Sequence, residues 1–402
     1  MYDAIILGGG AAGLAAAIRL AEREPGFSVL VLEKRDRVGK KLAVTGNGQC
    51  NLTNTRTEAD CYHGDPALAL SLIGRFPYEA QKAFFARTGL MLTERSDGKV
   101  YPHSLQASAV VDALRFRAAE CGITVLTDAA VETAKREADG FCVTAGQNTY
   151  RARTLLIACG GAAGGKLGGG DGYALLRAFG HRVTPLRPAI VQLKTEGSFC
   201  RSLAGIKLPA RLRAAGVTAP LSDLLFCDYG LSGPGALFLS SYFEPDKPFP
   251  LTADLAPDLA PDETMDFLIS KRENCPDRPL EELLSGLLPR KVGMMLLKAE
   301  GFSLSRPLSS LEDGELDAVN RAIHALPFTV TDTAGMPGAQ VTAGGADTEE
   351  FDRETLMSRK VPGLFAAGEV LNVDGNCGGY NLQFAWASAD AAAAGMIAWC
   401  RP

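Results

Sequence analysis

The stretch DAIILGGGAAG, residues 3–13, decides the fold of this chain. Residues 3–7 are mostly apolar and predict a short buried strand, and residues 11–23 predict a helix directly after the glycines. Residues 28–33, SVLVLE, predict a second buried strand. Strand, helix and strand at this spacing form a compact βαβ unit, and apolar strands of this kind are typical of a parallel sheet covered on both faces.

Gly8, Gly10 and Gly13 form the pattern G-x-G-x-x-G between the first strand and the helix. The first glycine permits a tight turn, the second lets backbone approach a pyrophosphate, and the third lets helix and strand pack closely. The helix N-terminus offers N–H groups and the positive end of its dipole to phosphates. Glu33 ends the second strand, where a carboxylate accepts hydrogen bonds from a ribose 2′-OH and repels the 2′-phosphate of NADP. We therefore predict a dinucleotide site; the alternative is a purely structural glycine turn.

A second segment decides between FAD and NAD. The chain has one fingerprint, because the later glycine run at residues 168–172 lacks the preceding strand and the spacing. Residues 361–370, VPGLFAAGEV, predict a strand that ends in Gly368-Glu369. In FAD-binding folds this second signature places an acid on the ribityl chain, so we expect FAD, with Glu369 as that acid.

The rest of the chain changes character twice. A helix is expected at residues 108–120, and the final segment, residues 382–399, predicts an alanine-rich helix. Short apolar runs broken by Gly and Pro predict β structure at residues 190–255. Residues 260–325 then show helical periodicity, in which five leucines fall on one face: Leu280, Leu283, Leu284, Leu287 and Leu288. Three further strands are expected near residues 123–126, 141–145 and 155–158.

Length and composition narrow the function classes. A chain of 402 residues is long enough for two domains, because single cores rarely exceed about 250–300 residues. The net charge of −5 and the isoelectric point near 5.6 argue against a nucleic-acid or polybasic membrane surface. The ten cysteines show no C-x-x-C and the four histidines form no ligand pair, so no metal site is expected. Without a signal peptide or a stretch of roughly 18 apolar residues, we expect a cytoplasmic protein with a small-molecule substrate and no membrane or nucleic-acid partner.

Four segments together carry a family resemblance. The most specific are GKKLAVTGNGQCNLTN at residues 39–54 and GLFAAGEVLNVDGNCGGYNLQ at residues 363–383. PAIVQL at residues 188–193 and YGLSGP at residues 229–234 support them. On these segments, over nearly its whole length, the chain resembles the bacterial NAD(P)/FAD-dependent oxidoreductase family that includes aminoacetone oxidase and the bile-acid reductase BaiN.

The resemblance implies an α/β fold: a Rossmann-like FAD-binding domain with an inserted β-rich domain that carries a helical subdomain. The FAD-binding domain is expected at residues 1–190 and 340–402, so it is discontinuous. The inserted substrate-side domain is expected at residues 191–339, with its helical subdomain at about 256–326. These bounds agree with the changes in composition along the chain.

Fingerprint and resemblance together give the expected cofactor-binding residues: Gly8, Gly10, Ala11, Ala12, Gly13, Glu33, Lys34, Lys40, Lys41, Thr45, Gly46, Asn47, Gly48, Cys50, Asn51, Val131, Ala158, Cys159, Gly160, Gly161, Gly368, Glu369, Gly379, Tyr380, Asn381 and Leu382. The lysines are placed to meet phosphate or the charge of reduced flavin, and the turn that follows them brings N–H groups towards a flat ring. Val131 is expected at the adenine. The final helix points its N-terminus at the flavin N1–C2=O edge, which raises the reduction potential. The alternatives are a solvated lysine pair, a plain Asn-Gly turn and a merely capped helix.

The proton donor cannot be carried over from the family, because this chain departs from the family pattern. Many members carry Thr-His before the segment at 229–234, whereas this chain has Cys227 and Asp228. The candidate catalytic residues are therefore Tyr229, Asp228 and Tyr380, followed by His103, which a surface loop explains equally well. A redox pair of Cys50 and Cys377 is weighed against two inert thiols, which we favour because C-x-x-C is absent.

Three functions follow from the resemblance and the fold. The first is reduction of an activated C=C bond, such as the enone of a steroid-like or similar apolar ketone, by hydride transfer from flavin N5 to the β-carbon with protonation of the α-carbon. The second is an oxidase or dehydrogenase of a small amine such as aminoacetone. The third is a flavin-binding RNA-modifying protein, against which the acidic isoelectric point counts. With one fingerprint, NADH or NADPH is expected only as a transient electron donor at the flavin.

Overall fold

The computed structural model describes residues 1–401. The chain divides into two compact units, and the first is discontinuous: it consists of Met1–Pro188 and of the chain from Gln340 onward. The second unit is Ala189–Ala339. Each unit has its own hydrophobic core.

The strands, in chain order, are β1 Tyr2–Leu7, β2 Val29–Leu32, β3 Thr53–Asn54, β4 Tyr62–Gly64, β5 Leu92–Glu94, β6 Lys99–Pro102, β7 Thr124–Leu126, β8 Val131–Glu137, β9 Gly140–Ala145, β10 Asn148–Ile157, β11 Arg187–Ala189, β12 Leu193–Thr195, β13 Lys207–Ala214, β14 Val217–Thr218, β15 Ser222–Cys227, β16 Gly230–Ser232, β17 Phe249–Asp254, β18 Leu326–Thr333, β19 Val341–Ala343, β20 Leu364–Ala366 and β21 Val373–Gly375. The α-helices are α1 Ala11–Arg23, α2 Pro66–Arg75, α3 Tyr78–Arg87, α4 Ala107–Glu120, α5 Asp171–Ala178, α6 Phe199–Ser202, α7 Pro234–Leu239, α8 Pro261–Asn274, α9 Arg290–Ala299, α10 Asp313–His324, α11 Gly335–Gly338 and α12 Tyr380–Cys400.

The main sheet of the first unit is parallel at its centre. Its parallel strands lie in the order β7-β2-β1-β10-β20. The first half of β10 pairs antiparallel with β9, and only its last three residues pair with β20. Because all five parallel strands run the same way, their carboxyl ends meet at one edge, where ligands bind in open α/β sheets. Gly8, Glu33, Ala158 and Ala367 directly follow four of these strands.

Two helices pack closely beside this sheet because they are rich in alanine. Helix α1 buries Ala15, Ala16 and Ala17, and α12 is buried almost all round. A helix without a polar face belongs in a protein interior. Trp386 of α12 is fully buried and donates a hydrogen bond from Nε1 to the Leu52 carbonyl at 2.8 Å. Helix α12 therefore ties the end of the first unit to its beginning.

The second unit contains a closed antiparallel barrel. Its strands lie in the order β14-β13-β15-β16-β12-β18-β17, and β13 also pairs with β17, so six strands close a ring. Alternate residues of β13 are buried, as the period of a strand with one face in a core requires. Helices α8, α9 and α10 contribute Leu268, Leu296 and Ile323 to the same core.

One prediction for this unit was wrong. The five leucines between 280 and 288 do not lie on a helix; the segment is a single 3-10 turn, Leu280–Glu282, followed by further turns. Pro279 and Pro289 bound it, and Gly286 has a φ of +97°, which interrupts a helix. Four of the leucines are nevertheless buried. The leucine pattern therefore predicted burial correctly but secondary structure wrongly.

Among residues 1–401, none of the helices combines the length and apolar character needed to span a lipid bilayer.

Candidate active site

The glycine loop after β1 is built as its sequence requires. Gly8 has a φ of +106°, and a Cβ there would lie 2.5 Å from the Ala158 carbonyl oxygen. A Cβ on Gly13 would lie 1.9 Å from the Gly8 oxygen, so α1 packs directly on the loop. A Cβ on Gly10, by contrast, would meet no atom within 4 Å. The space beside Gly10, at an α1 N-terminus without a side-chain cap, is therefore open to a ligand, and a helix N-terminus favours an anionic one.

Glu33 lies at the carboxyl end of β2, beside this loop. Its Oε2 accepts a hydrogen bond from the Gly9 N–H at 2.8 Å, and Oε1 accepts one from the Arg35 N–H at 2.9 Å. The Ala129 N–H donates to the Glu33 carbonyl, which brings the start of β8, Val131, to the same place. The predicted ribose and adenine residues are thus adjacent.

The opposite side of the loop is formed by residues 158–161 and by Glu369. The Ala158 N–H donates to the Leu7 carbonyl, and Gly160 has a φ of +72°. A Cβ on Gly161 would lie 2.6 Å from Glu369 Oε1, so only glycine fits beside this carboxylate. Glu369 Oε1 also accepts the Thr342 N–H at 3.0 Å. Gly368 packs on Ala12 in the first turn of α1, which joins the two FAD signatures.

The three predicted lysines pair with carboxylates in different places. Lys41 Nζ lies 2.7 Å from Glu369 Oε2, in the site. Lys34 contacts Asp171 at the start of α5. Lys40 contacts Asp36, an exposed residue four positions earlier in the sequence. Lys41 is therefore the lysine that the structure connects to the second FAD signature.

The turn after Lys41 has an unusual backbone. Gly46, Asn47 and Gly48 all have positive φ values, and the three residues are exposed. Asparagine tolerates the left-handed region better than most residues, but Cys50, at a φ of +58°, does not. Such strain persists where the surroundings fix it, commonly at ligand sites. Here the Cys50 N–H donates to the Thr45 carbonyl at 3.0 Å, and the Cys50 side chain is fully buried.

The two family-specific segments are joined by a hydrogen-bond network around the start of α12. Gln383, fully buried, donates from Nε2 to the Asn54 carbonyl and accepts the Tyr62 hydroxyl on Oε1. Asn54 in turn donates from Nδ2 to the Gly378 carbonyl at 2.9 Å. The Asn381 amide closes the preceding turn by accepting the Gly375 N–H and donating to the Gly375 carbonyl. The segment therefore fixes where the α12 N-terminus points.

Three buried polar atoms at this edge test whether FAD fits. Within residues 1–401, seven buried side-chain oxygens or nitrogens have no hydrogen-bond partner, and these two segments contribute Asn51 Oδ1, Thr53 Oγ1 and Asp374 Oδ2. Buried polar groups in folded proteins are nearly always hydrogen-bonded. A large polar cofactor beside Gly10, with carboxylates at Glu33 and Glu369, supplies suitable partners. The residues fit FAD.

The candidate proton donors lie in both units. Asp228 and Tyr229 form the exposed two-residue turn between β15 and β16 in the second unit. Partial burial and the neighbouring Cys227 raise the pKa of Tyr229, so its phenol keeps its proton at neutral pH. Tyr380, in the first unit, begins α12, and burial together with Cys61 raises its pKa. His103 is exposed in a turn after β6.

The thiols of the site are not arranged for exchange chemistry. Burial raises the pKa of Cys50 to about 12 and that of Cys159 to about 12, so both stay protonated at neutral pH. The ten cysteines, all within the described chain, are free. A search of residues 1–401 finds no group of three or more His, Cys, Asp or Glu side chains placed to hold a metal ion.

Sequence reasoning missed several residues of this site. Four residues that lie within the two family-specific segments or contact them were not among the predicted ligands: Thr53, Thr342, Gln383 and Asp374. The signal that could have found Asp374 is a charged residue within the largely apolar stretch VLNVDG. Its burial, however, depends on pairing between β21 and β4, which are far apart in sequence.

Comparison with known proteins identifies the family. The family described as HI0933-like protein Rossmann domain matches residues 2–395. The chain is 35% identical over 393 residues to the 3-dehydro-bile acid delta(4,6)-reductase of Clostridium scindens, which covers 95% of this chain and 96% of that protein. It is 32% identical over 410 residues to the ribosomal RNA dihydrouridine synthase of Escherichia coli, with 99% and 98% covered.

A solved structure shows the same fold. The 3-ketosteroid-delta4-(5alpha)-dehydrogenase from Rhodococcus jostii, in complex with 4-androstene-3,17-dione, matches with a TM-score of 0.51 and 15% identity over 98% of this chain and 96% of that one. At this identity the likeness concerns the fold alone. The predicted family resemblance and the predicted fold class, a Rossmann-like FAD-binding domain with an inserted β-rich domain, are confirmed. The chain belongs to the HI0933-like protein family and is an FAD-dependent oxidoreductase.

Proposed function

We propose that the protein reduces a C=C bond conjugated to a carbonyl group, in an enone of a steroid-like or similar apolar ketone. The observation that carries this proposal is a chemistry shared by the names of two nearly full-length relatives. A delta(4,6)-reductase of a 3-dehydro compound acts on double bonds conjugated to a ketone. A dihydrouridine synthase saturates the C5=C6 bond of uracil, which is conjugated to the C4 carbonyl.

Both reactions need the same two events. Reduced FAD, when bound, supplies the hydride to the β-carbon of such a compound. The protein must then deliver a proton to the α-carbon and hold the carbonyl oxygen where negative charge develops. The raised pKa values of Tyr229 and Tyr380 mean that both phenols are protonated at neutral pH, so each has a proton to give. We propose these two residues, with Asp228, as the candidates for that proton.

The residues of the first unit bind and orient the cofactor. We propose that Gly10 and the α1 N-terminus take the pyrophosphate, Glu33 the adenosine ribose, and Glu369 the ribityl chain. The N–H groups of the left-handed turn at Gly46–Gly48 and the N-terminus of α12 would hold the redox-active ring. A helix N-terminus stabilises the negative charge of a reduced flavin and so raises its reduction potential.

A uracil base in ribosomal RNA is the second candidate substrate, and the Escherichia coli relative favours it. The reaction class is unchanged, but the substrate is a polyanion rather than an apolar ketone. The net charge of −5 works against binding of a polyanion, whose affinity depends on released counterions. We therefore rank the small enone first.

Anaerobic reoxidation of the reduced flavin tests the proposal. The purified protein is reduced, with NADH or NADPH as the first donors tried, and then mixed with a 4-en-3-one steroid. We expect the flavin absorbance to return within seconds, and a saturated 3-oxo-steroid to leave the flavin reduced. If the flavin absorbance returns faster with a ribosomal RNA transcript than with the enone, the substrate is a uracil base in RNA rather than a small enone. If a small amine reduces the flavin and its absorbance returns with oxygen alone, the protein is an amine oxidase and the proposed reductase activity is refuted.

A further inference from the structure

Asp374 is a buried acid that none of the roles above uses. It is the middle residue of β21 and only 2% exposed. Its Oδ2 is buried and accepts no hydrogen bond from any residue of the described chain. Burying a charged carboxylate without partners costs several kcal/mol, so a protonated carboxyl is favoured or a partner must come from a ligand.

Titratable or charged side chains of three other elements face Asp374. His63 of β4 lies directly opposite it in the β21–β4 pair, Arg187 approaches from β11, and Glu369 follows β20. Burial raises the pKa of Asp374 to about 6, with His63 and Arg187 opposing the shift and Glu369 adding to it. The Asp374 carboxyl therefore changes between its neutral and its charged form near pH 6.

The position of Asp374 places it at the cofactor edge of the sheet. Its carboxylate and that of Glu369 both raise the pKa of Tyr173, after burial, so the two acids share one neighbourhood. Tyr173 also donates its hydroxyl to the Glu369 carbonyl at 3.3 Å. The turn that follows Asp374 is closed by Asn381 and leads into α12. Asn51 and Thr53, the other unpartnered groups of this edge, lie against Gly379 at the end of that turn.

We propose that Asp374 is a cofactor-binding residue that is protonated in the FAD complex and donates its O–H from Oδ2 to an acceptor atom of FAD. An acid that is buried and faces another carboxylate, Glu369, is favoured as the neutral carboxyl, and the neutral carboxyl can donate a hydrogen bond to FAD. Binding then takes up one proton, which adds to Asp374 and is released when FAD leaves. The proposal holds whichever carbonyl compound the enzyme reduces.

FAD affinity measured against pH tests this directly. The apoprotein is titrated with FAD between pH 6 and pH 8.5, and flavin fluorescence reports the Kd. We expect the Kd to rise as pH rises, by up to about tenfold per pH unit, because one proton is bound with each FAD. Calorimetry in two buffers of different ionisation enthalpy measures that proton and is expected to give uptake of up to about one per FAD.

A substitution tests whether Asp374 is the group that takes up the proton. In Asp374→Asn the amide donates at every pH, so the Kd should become independent of pH in this range. Asp112→Asn, which changes an exposed carboxylate on α4, is the matched control and should keep the wild-type slope. A wild-type Kd that is flat with pH, or an Asp374→Asn variant that keeps the slope, would overturn the proposal.

A milder variant covers the case in which Asp374→Asn does not fold. Arg187 is exposed, and its charge lowers the pKa of Asp374. Arg187→Gln should therefore move the onset of the rise in Kd to higher pH. If the onset stays at its wild-type pH while Arg187→Gln binds FAD, Asp374 is not the group that takes up the proton. These readouts involve no enone, so they are independent of the proposed reaction.

Discussion

Lys41 and Glu369 form a salt bridge, with 2.7 Å between Nζ and Oε2, although they are 328 positions apart in the sequence. The pair joins the segment at residues 39–54 to the second FAD signature. Glu369 also accepts the Thr342 N–H, so its carboxylate is held from two sides. A carboxylate fixed in this way is ready to accept hydroxyl groups of a bound ligand with little loss of side-chain freedom.

Replacing Glu369 tests its predicted contact with the ribityl chain. Glu369→Gln keeps the shape but removes the charge and leaves Lys41 without its partner. Because hydrogen bonds to a charged group are worth about 1.5–3 kcal/mol, we expect FAD to bind about tenfold to a hundredfold more weakly. Fluorescence titration of the apoprotein measures the change. Glu300→Gln, an exposed substitution at the end of α9, should leave the affinity unchanged; equal losses in both variants would refute the contact.

Glu33 gives a parallel prediction at the adenosine end. Glu33→Ala removes the acceptor of the Gly9 N–H and the predicted partner of the ribose 2′-OH. We expect a loss of FAD affinity of about tenfold or more. Glu33→Gln keeps one acceptor oxygen and should lie between the alanine variant and wild type. Unchanged affinity in Glu33→Ala would show that the ribose is bound elsewhere.

Substitutions at two glycines of the fingerprint should affect different properties, namely stability and FAD binding. A Cβ on Gly13 would lie 1.9 Å from the Gly8 oxygen, so Gly13→Ala should destabilise the protein by about 3 kcal/mol through overpacking. A Cβ on Gly10 would enter open space, so Gly10→Ala should fold normally but hinder the pyrophosphate. Thermal unfolding of the apoproteins, followed by FAD titration, separates the two effects. A Gly10→Ala protein that binds FAD as wild type does would mean that the phosphates lie elsewhere.

His181 predicts how stability depends on pH. Its Nδ1 lies 2.8 Å from Glu350 Oε2 and its Nε2 2.9 Å from Ser358 Oγ. Ser358 Oγ already accepts the N–H groups of Lys360 and Val361, so its own proton goes to Nε2 and the imidazole is neutral. Glu350, His181 and Ser358 are arranged as in a hydrolase triad. His181 and Ser358 are both buried, however, so the three residues stabilise the fold.

Burial lowers the pKa of His181 in the folded protein below its ordinary value of 6.5, although Glu350 opposes the shift. The unfolded chain therefore binds more protons, and stability is lost as pH falls below about 6.5, by up to about 1.4 kcal/mol per pH unit. Urea unfolding at pH 7.5 and pH 5.5 measures this loss. His181→Gln should be less stable at pH 7.5 and should lose less on acidification. If wild type and variant lose the same amount, His181 does not titrate on unfolding.

The local elements were predictable because their signals are local. Helix α1 was predicted at its observed bounds, and the strand before it and the roles of its glycines needed only neighbouring residues. The failure at residues 280–288 arose because buried turns and buried helices use the same leucines. Distant pairing was harder to predict: closure of the barrel by β13 and β17 has no counterpart in short-range periodicity.

The polar network around α12 shows the same limit. The predicted cofactor-binding residues include Asn381 but not Gln383, whose partners Asn54 and Tyr62 lie more than 300 positions away in the sequence. Asp374 becomes unusual only when β21 pairs with β4 and buries its carboxyl. Sequence reasoning selected the segments of the proposed site, whereas the charge state of its members depends on tertiary packing.

The position of β20 beside β10 has a consequence for how the protein is made. A ribosome produces β1, β2 and β10 first, then all of the barrel unit, and only afterwards β20 and Glu369, which follows it. Until then, the last residues of β10 have an open edge towards β20, and helix α1 lacks α12. The barrel can complete its own core on the emerging chain, whereas the nucleotide fold cannot, and open strand edges invite aggregation. The residues proposed to hold FAD are therefore all present only after the whole second unit has been synthesised.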